Sequence, residues 1–143
     1  MILGFTGTRR GMTAVQKAAL AGCVAVLPER AIHGGAVGAD EEFDAFLIGA
    51  GMKSWDIDVY PADLGRWQKW SDVGRATYAV DASLLRNRMI VRRCDYLIAA
   101  PATAEEVHRS GTWATIRYAR RPIARRPIAI LLPEGGVREE RLC

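Results

Sequence analysis

Apolar positions along this chain fall into short continuous runs that alternate with longer stretches of helical spacing. Met1-Ile2-Leu3-Gly4-Phe5-Thr6 is nearly all apolar, the pattern of a strand covered on both faces. Thr13 then opens a helix, with Gln16 three residues on as a capping-box partner and Pro28 as its stop. Arg30 to His33 reads as a second strand, ending at Gly34-Gly35. Asp40 opens a second helix, on which Phe43, Phe46, Leu47 and Ala50 recur at helical spacing, and Gly49 and Gly51 end it. Ser54 to Tyr60 is a third strand closed by Pro61, and Ser83 to Cys94 a third helix. Tyr96 to Ala100 is a buried strand stopped by Pro101, Thr112 to Arg121 a fourth helix, and Pro127 to Leu132 the last strand.

Strands and helices therefore alternate, which specifies an α/β fold: a three-layer α/β/α, Rossmann-like domain with a mainly parallel five-stranded sheet. The expected strand order is 3-2-1-4-5, with the switch point between the first and fourth strands. Ligands of such sheets bind outside the carboxyl ends of the strands beside that switch. The loops at 7–11, 34–40 and 101–112 all belong to that rim. Residues 1–133 form the expected domain. Its segment 62–82, polar and carrying Trp67, Trp70 and Tyr78, is too long for a plain connection and is expected to fold over something. Residues 134–143 read as a polar tail.

The length of 143 residues suits one domain with a real core. The net charge of +4 is mild, but 17 of the 20 cationic residues are arginine, which grips phosphate in a two-point fashion that lysine cannot. A nucleic-acid protein would show a sharper basic stripe. Three scattered cysteines and two histidines give no metal-ligand spacing, and no cofactor is implied. Cys23 and Cys94, in apolar helical contexts, are expected to be buried thiols. Met1 to Phe5 enters a strand with no charged region before it, so no signal peptide is expected, and no apolar run approaches the length of a bilayer span. A cytoplasmic, reduced protein with no membrane association is the expectation.

The candidate chemistry sits on the rim. Gly34, Gly35 and Gly38 supply bends without Cβ, so that backbone N–H groups can approach an oxygen ligand. Asp40 either caps the second helix or holds a ribose hydroxyl. His33 either faces the ligand or makes structural hydrogen bonds. Ser110-Gly111-Thr112 opens the fourth helix and offers hydroxyls and free N–H groups at a positive helix end. Arg86 and Arg88, two apart, cannot share a helix face, so one reaches the rim and the other does not. Asn87 is expected to bond a loop backbone. Trp113 and Arg117 lie on one face, and Arg117, Arg120, Arg121, Arg125 and Arg126 form either a solvated surface or a basic face for a partner. Trp67 and Trp70 read either as a platform for a base or as a hydrophobic flap or dimer contact.

Taken together, these residues resemble the SLOG superfamily of LOG-type and DprA-type Rossmann-like proteins, and within it the small YspA-like (DUF2493) branch. The resemblance is carried by Thr6-Gly7-Thr8-Arg9, His33-Gly34-Gly35-Ala36-Val37-Gly38-Ala39-Asp40, Tyr60-Pro61-Ala62-Asp63, Arg86-Asn87-Arg88-Met89, Asp95 with the strand after it, and Ser110-Gly111-Thr112. It spans residue 6 to about 121, most of the chain. It implies a nucleotide-derived small molecule bound across these loops by Gly7, Thr8, Arg9, the Gly34–Gly38 turn, Arg86, Gly111 and Thr112, and a homo-oligomer. LOG enzymes cleave the N-glycosidic bond of a nucleoside monophosphate with glutamates that follow their glycine-threonine turn. Here Trp113, Ala114 and Thr115 stand in those places, and only Glu105 and Glu106, just upstream, offer substitute carboxylates. Three functions follow from the resemblance: binding or sensing of a nucleotide-derived ligand, a phosphoribohydrolase using Glu105, Glu106 or Asp40, and DprA-like binding of single-stranded DNA.

Overall fold

The structure, a computed structural model, describes residues 1–61, 76–77 and 83–141. Among these, seven strands form one sheet in the order β4-β3-β2-β1-β5-β6-β7. The strands are β1 (Ile2–Gly7), β2 (Arg30–His33), β3 (Ile57–Val59), β4 (Ala76–Thr77), β5 (Tyr96–Ala100), β6 (Ile128–Leu131) and β7 (Val137–Glu140). The helices are α1 (Ala14–Cys23), α2 (Ala39–Gly49), α3 (Ser83–Arg93) and α4 (Gly111–Arg120). β3-β2-β1-β5-β6 are parallel and carry the expected order. The chain leaves β1 toward β2 and β3 and returns to lay β5 on the other side of β1. The switch point thus lies between β1 and β5.

The apolar runs divide by strand alternation between two cores. Leu3 and Phe5 of β1, Ala31 of β2, Ile98 and Ala100 of β5, and Ala129 and Leu131 of β6 pack against Leu20 of α1 and Phe43 and Leu47 of α2. Ile32, Leu97, Ala99, Ile128 and Ile130 face the other way, onto Ile90 and Val91 of α3 and Trp113 and Ile116 of α4. Phe5 and Phe43 stack with ring centroids 4.3 Å apart. Burial on both faces explains why these strands show no polar alternation. Gly4 faces α3, where a Cβ would stand 2.8 Å from the Cys94 side chain, so the end of α3 can lie directly on β1.

The capping box expected at α1 is present. Thr13 Oγ1 accepts from Gln16 N–H (3.2 Å), and Gln16 Oε1 accepts from Thr13 N–H (2.9 Å). The Gln16 amide also donates to the carbonyls of Pro101 and Leu131, each at 2.8 Å, and so joins α1 to the ends of β5 and β6.

Several expectations are corrected. The polar segment after residue 133 is not a free tail: Val137–Glu140 pairs antiparallel with β6, and β4 adds a short parallel edge on the other side. Cys23 is exposed, because it ends α1 on the solvent side, whereas Cys94 is buried. Burial pushes the Cys94 thiol up to about 12. Trp67, Trp70 and Tyr78 lie outside the described residues, as does the segment read as a flap apart from Ala76–Thr77. Among the described residues, no helix is long and apolar enough to cross a membrane.

Candidate functional site

A cleft of about 410 Å³ opens at the carboxyl ends of β1 and β5, beside the switch point. Its lining brings together Gly7, Thr8 and Arg9 after β1, Asp40 of α2, Arg86 of α3, and Ser110, Gly111 and Thr112 at the start of α4. Residues from four separate stretches of sequence thus meet at one place. Its volume lies within the range of small-molecule sites. Arg10, Asn87, Thr103 and Arg109 also line it. Arg10, Thr103 and Arg109 fall in the rim loops 7–11 and 101–112 expected from the sequence, though none of the four is singled out there as a ligand residue.

The β1–α1 loop is fixed by its own backbone. Thr8 N–H donates to Ala100 O (3.0 Å), while Thr8 O accepts from Ala39 N–H (3.0 Å) and Gly11 N–H (3.2 Å). A Cβ at Gly7 would run into the Cβ of Ala39, so glycine lets the start of α2 sit against the end of β1.

Arg86 is the centre of the arrangement. It is only 6% exposed. Its Nη1 donates to Gly34 O (2.7 Å) and Tyr60 O (3.1 Å), and its Nε donates to Asn87 Oδ1 (2.7 Å). Asn87 therefore holds the arginine rather than a loop backbone. Nη2 makes no hydrogen bond to a described residue, and Arg86 lines the cleft. Burial lowers the Arg86 pKa, and Arg9 lowers it further, while Asp40 opposes both. A desolvated cation in that state gains from an incoming anion.

The glycine turn serves Arg86. A Cβ on Gly34 would stand 2.6 Å from the guanidinium carbon, so the space above Gly34 is the space the arginine occupies. Gly35 (φ 66°) and Gly38 (φ 89°) adopt left-handed backbone. The cradle expected from this turn is differently wired. Gly35 N–H donates to His33 Nδ1 (2.9 Å) and Ala36 N–H to Asp40 Oδ2 (3.2 Å), so these donors are turned inward. Gly34, Gly35 and Gly38 lie behind the lining and shape it.

His33 is buried and does not line the cleft. Its Nε2 bonds Asp44 Oδ2 at 2.7 Å. Because Nδ1 accepts from Gly35, Nε2 carries the proton given to Asp44. Asp44 lies one helical turn after Asp40, on the same face of α2. The structural reading of His33 is the one these bonds fit.

The α4 end supplies fixed donors. Ser110 caps the helix, its Oγ accepting from Trp113 N–H (3.1 Å), and Ala114 N–H bonds Ser110 O (2.9 Å). Among the bonds of the described residues, none uses the N–H groups of Gly111 or Thr112, the first two helical positions, and both residues line the cleft. This is the positive end of a helix with open donors. The Trp113 indole N–H donates to Thr103 Oγ1 (3.2 Å) and ties the β5–α4 loop to the helix.

Asp40 is not the cap of α2. That position is Gly38, which makes no side-chain cap bond, and Asp40 sits two residues further on. Asp40 is 6% exposed, and its buried Oδ1 has no hydrogen-bond partner. Burial raises its pKa, against His33, Arg86 and the backbone N–H groups of Ala36 and Gly34, which lower it.

Glu105 and Glu106 stand outside the described cleft lining. Glu106 pairs with Arg117 Nη1 (3.0 Å) and Arg120 Nη1 (3.2 Å) on the surface, and these arginines hold its carboxyl below the usual range, Arg117 most strongly. Arg120 also bonds Glu140 of β7 (2.7 Å), and Arg126 spends its guanidinium on the carbonyls of Cys94, Ala124 and Arg92. Much of the expected basic face is therefore bound up internally. Arg88, the partner of Arg86 in sequence, lies over the Tyr118 ring, 5.2 Å from its centroid, outside the cleft.

Comparison of the chain with models of known protein families and with curated proteins returned no match.

Proposed function

We propose that this protein binds a nucleotide-derived small molecule, with a phosphate group seated between Arg86 and the start of α4. The observation that carries this reading is the Nη2 edge of Arg86, which bonds no described residue, in the same cleft as the N–H groups of Gly111 and Thr112, which bond none either. A planar guanidinium edge and two backbone donors at a helix start suit a tetrahedral oxyanion. Arg9, Arg10 and Arg109 add positive charge around it, and Asp40 is the sole acidic residue in the described lining. The position beside the switch point is where doubly wound sheets hold nucleotides. The resemblance to the SLOG superfamily points to the same ligand class and rests on the same residues.

Two other functions have less support. Phosphoribohydrolase chemistry through Glu105 or Glu106 needs a carboxylate at the reacting sugar, and Glu106 is held on the surface by two arginines. Single-stranded DNA binding along α4 needs cations free to meet phosphates, whereas Arg117 and Arg120 are engaged by acids.

Calorimetric titration with AMP and with adenosine tests the proposal. A phosphate seated on one buried arginine and two N–H donors should make AMP bind about 100-fold tighter than adenosine, the worth of two charge-assisted hydrogen bonds. Equal affinity for the two, or no binding of either, would refute it.

A further inference from the structure

The phosphate reading leaves one polar atom of the cleft unexplained. Asp40 Oδ1 is buried and without a partner, while Oδ2 of the same carboxyl accepts from Ala36 N–H at 3.2 Å, the long end of a hydrogen bond, and the Gly34 N–H also acts on the carboxyl. Asp40 and Arg86 both line the cleft and act on one another electrostatically, yet make no direct hydrogen bond or ion pair. Two opposite charges thus sit side by side: Asp40 with a buried acceptor, Oδ1, that has no partner, and Arg86 with a donor, Nη2, that bonds no described residue.

Few groups can serve both. A phosphate oxygen would satisfy the arginine but be repelled by the carboxylate. An ammonium would satisfy the carboxylate but be repelled by Arg9, Arg10, Arg86 and Arg109, all in the lining. A hydroxyl donates one hydrogen bond and accepts others, so it fits beside both. The carboxyl can turn to meet it, because the terminal torsion of aspartate is broad and roughly two-fold.

Building on the phosphate reading, we infer that Asp40 selects ligands carrying a free sugar hydroxyl close to their phosphate, so that the cleft takes ribosyl phosphates and discriminates against their deoxy counterparts. Burial, the main influence raising the Asp40 pKa, fits this role, since the charged form lacks a donor that a ligand would bring. Asparagine at this position reverses the recognition. Its carbonyl oxygen must stay on Ala36 N–H, which turns the amide NH₂ to the place of Oδ1 and puts a donor where the acceptor stood.

The test is a calorimetric titration of wild type and Asp40→Asn with inorganic phosphate, AMP and 2′,3′-dideoxyadenosine 5′-monophosphate. Wild type should prefer AMP over the dideoxy nucleotide by about tenfold or more, the worth of one hydrogen bond to a charged group. Asp40→Asn should erase that preference while still binding inorganic phosphate. If wild type binds both nucleotides equally, or if the variant keeps the preference, the role of Asp40 is wrong and the phosphate site stands. If wild type binds neither phosphate nor AMP, the phosphate site itself fails, and the selection by Asp40 with it. The wild-type comparison needs no substitution, so it holds whatever the variant does to folding.

Discussion

Gly34→Ala separates the binding role of Arg86 from its part in the fold. A methyl group at residue 34 would lie 2.6 Å from the Arg86 guanidinium carbon and 3.1 Å from its Nε, so the guanidinium must move. The backbone around Gly34 meets no other obstacle among the closest contacts, and what yields is the end of a flexible side chain. Moving it weakens the bonds to Gly34 O and Tyr60 O, at 2.7 and 3.1 Å. Strain of this kind in a packed site costs about 1–3 kcal/mol. The ligand loses more in proportion, because a displaced guanidinium forfeits a charge-assisted contact of about 1.5–3 kcal/mol, or about 10- to 100-fold in affinity. Urea denaturation gives the stability change and calorimetry with AMP gives the affinity. AMP affinity within twofold of wild type, in a folded variant, would show that the position of Arg86 does not matter for the ligand.

Further outcomes follow from other contacts. Gln16→Leu strips donors from the buried carbonyls of Pro101 and Leu131 and breaks the capping box, so urea denaturation should show a loss of about 2–4 kcal/mol. Asp40→Asn should stabilise the protein at pH 7, because a neutral amide replaces a carboxyl whose charged form burial disfavours. The sign follows from the raised pKa: the folded state favours the protonated carboxyl, so the aspartate's penalty grows as pH rises from its unfolded value through its folded value. The stabilisation by asparagine should accordingly shrink in urea titrations at pH 4, and a gain independent of pH would contradict the assignment. Glu106→Gln should leave AMP affinity within about twofold, because an exposed carboxylate paired with surface arginines contributes little at a distance. A large loss in that titration would return Glu106 to the site.

The parts of the molecule legible in its sequence are those governed by local rules. The strand runs, the Thr13–Gln16 box and the breaks at Pro61 and Pro101 each follow from a few neighbouring residues, and the observed strand order is the expected one. The first helix, expected to run on to Pro28, ends at Cys23, and the strand expected from Ser54 begins only at Ile57, after a 3-10 turn over Ser54–Asp56. β7 escaped because Val137-Arg138-Glu139-Glu140 is largely exposed, an edge strand with almost no apolar face to announce it. Cys23 escaped because an apolar context does not tell which side of α1 meets the sheet. The site was legible as a set of loops but not as a wiring diagram. That Gly35 N–H turns to His33 rather than outward depends on Asp44, eleven residues away and held in place by α2. The spacing of Asp40 and Asp44, one helical turn apart, was the available signal for a carboxylate behind His33. Likewise Glu106 was placed by its distance in sequence from Gly111, whereas its position is decided by Arg117 and Arg120 on the next helix.

The phosphate seat can be observed residue by residue in the ¹⁵N-labelled protein, by following backbone amide and arginine Nε resonances as AMP is added. Gly111 and Thr112 N–H and Arg86 Nε–H should show the largest shifts, moving together along one saturable curve, with Arg88 and the outer face of α4 unmoved. Shifts confined to the surface between α3 and α4, or no saturable change at Gly111, Thr112 and Arg86, would contradict the site.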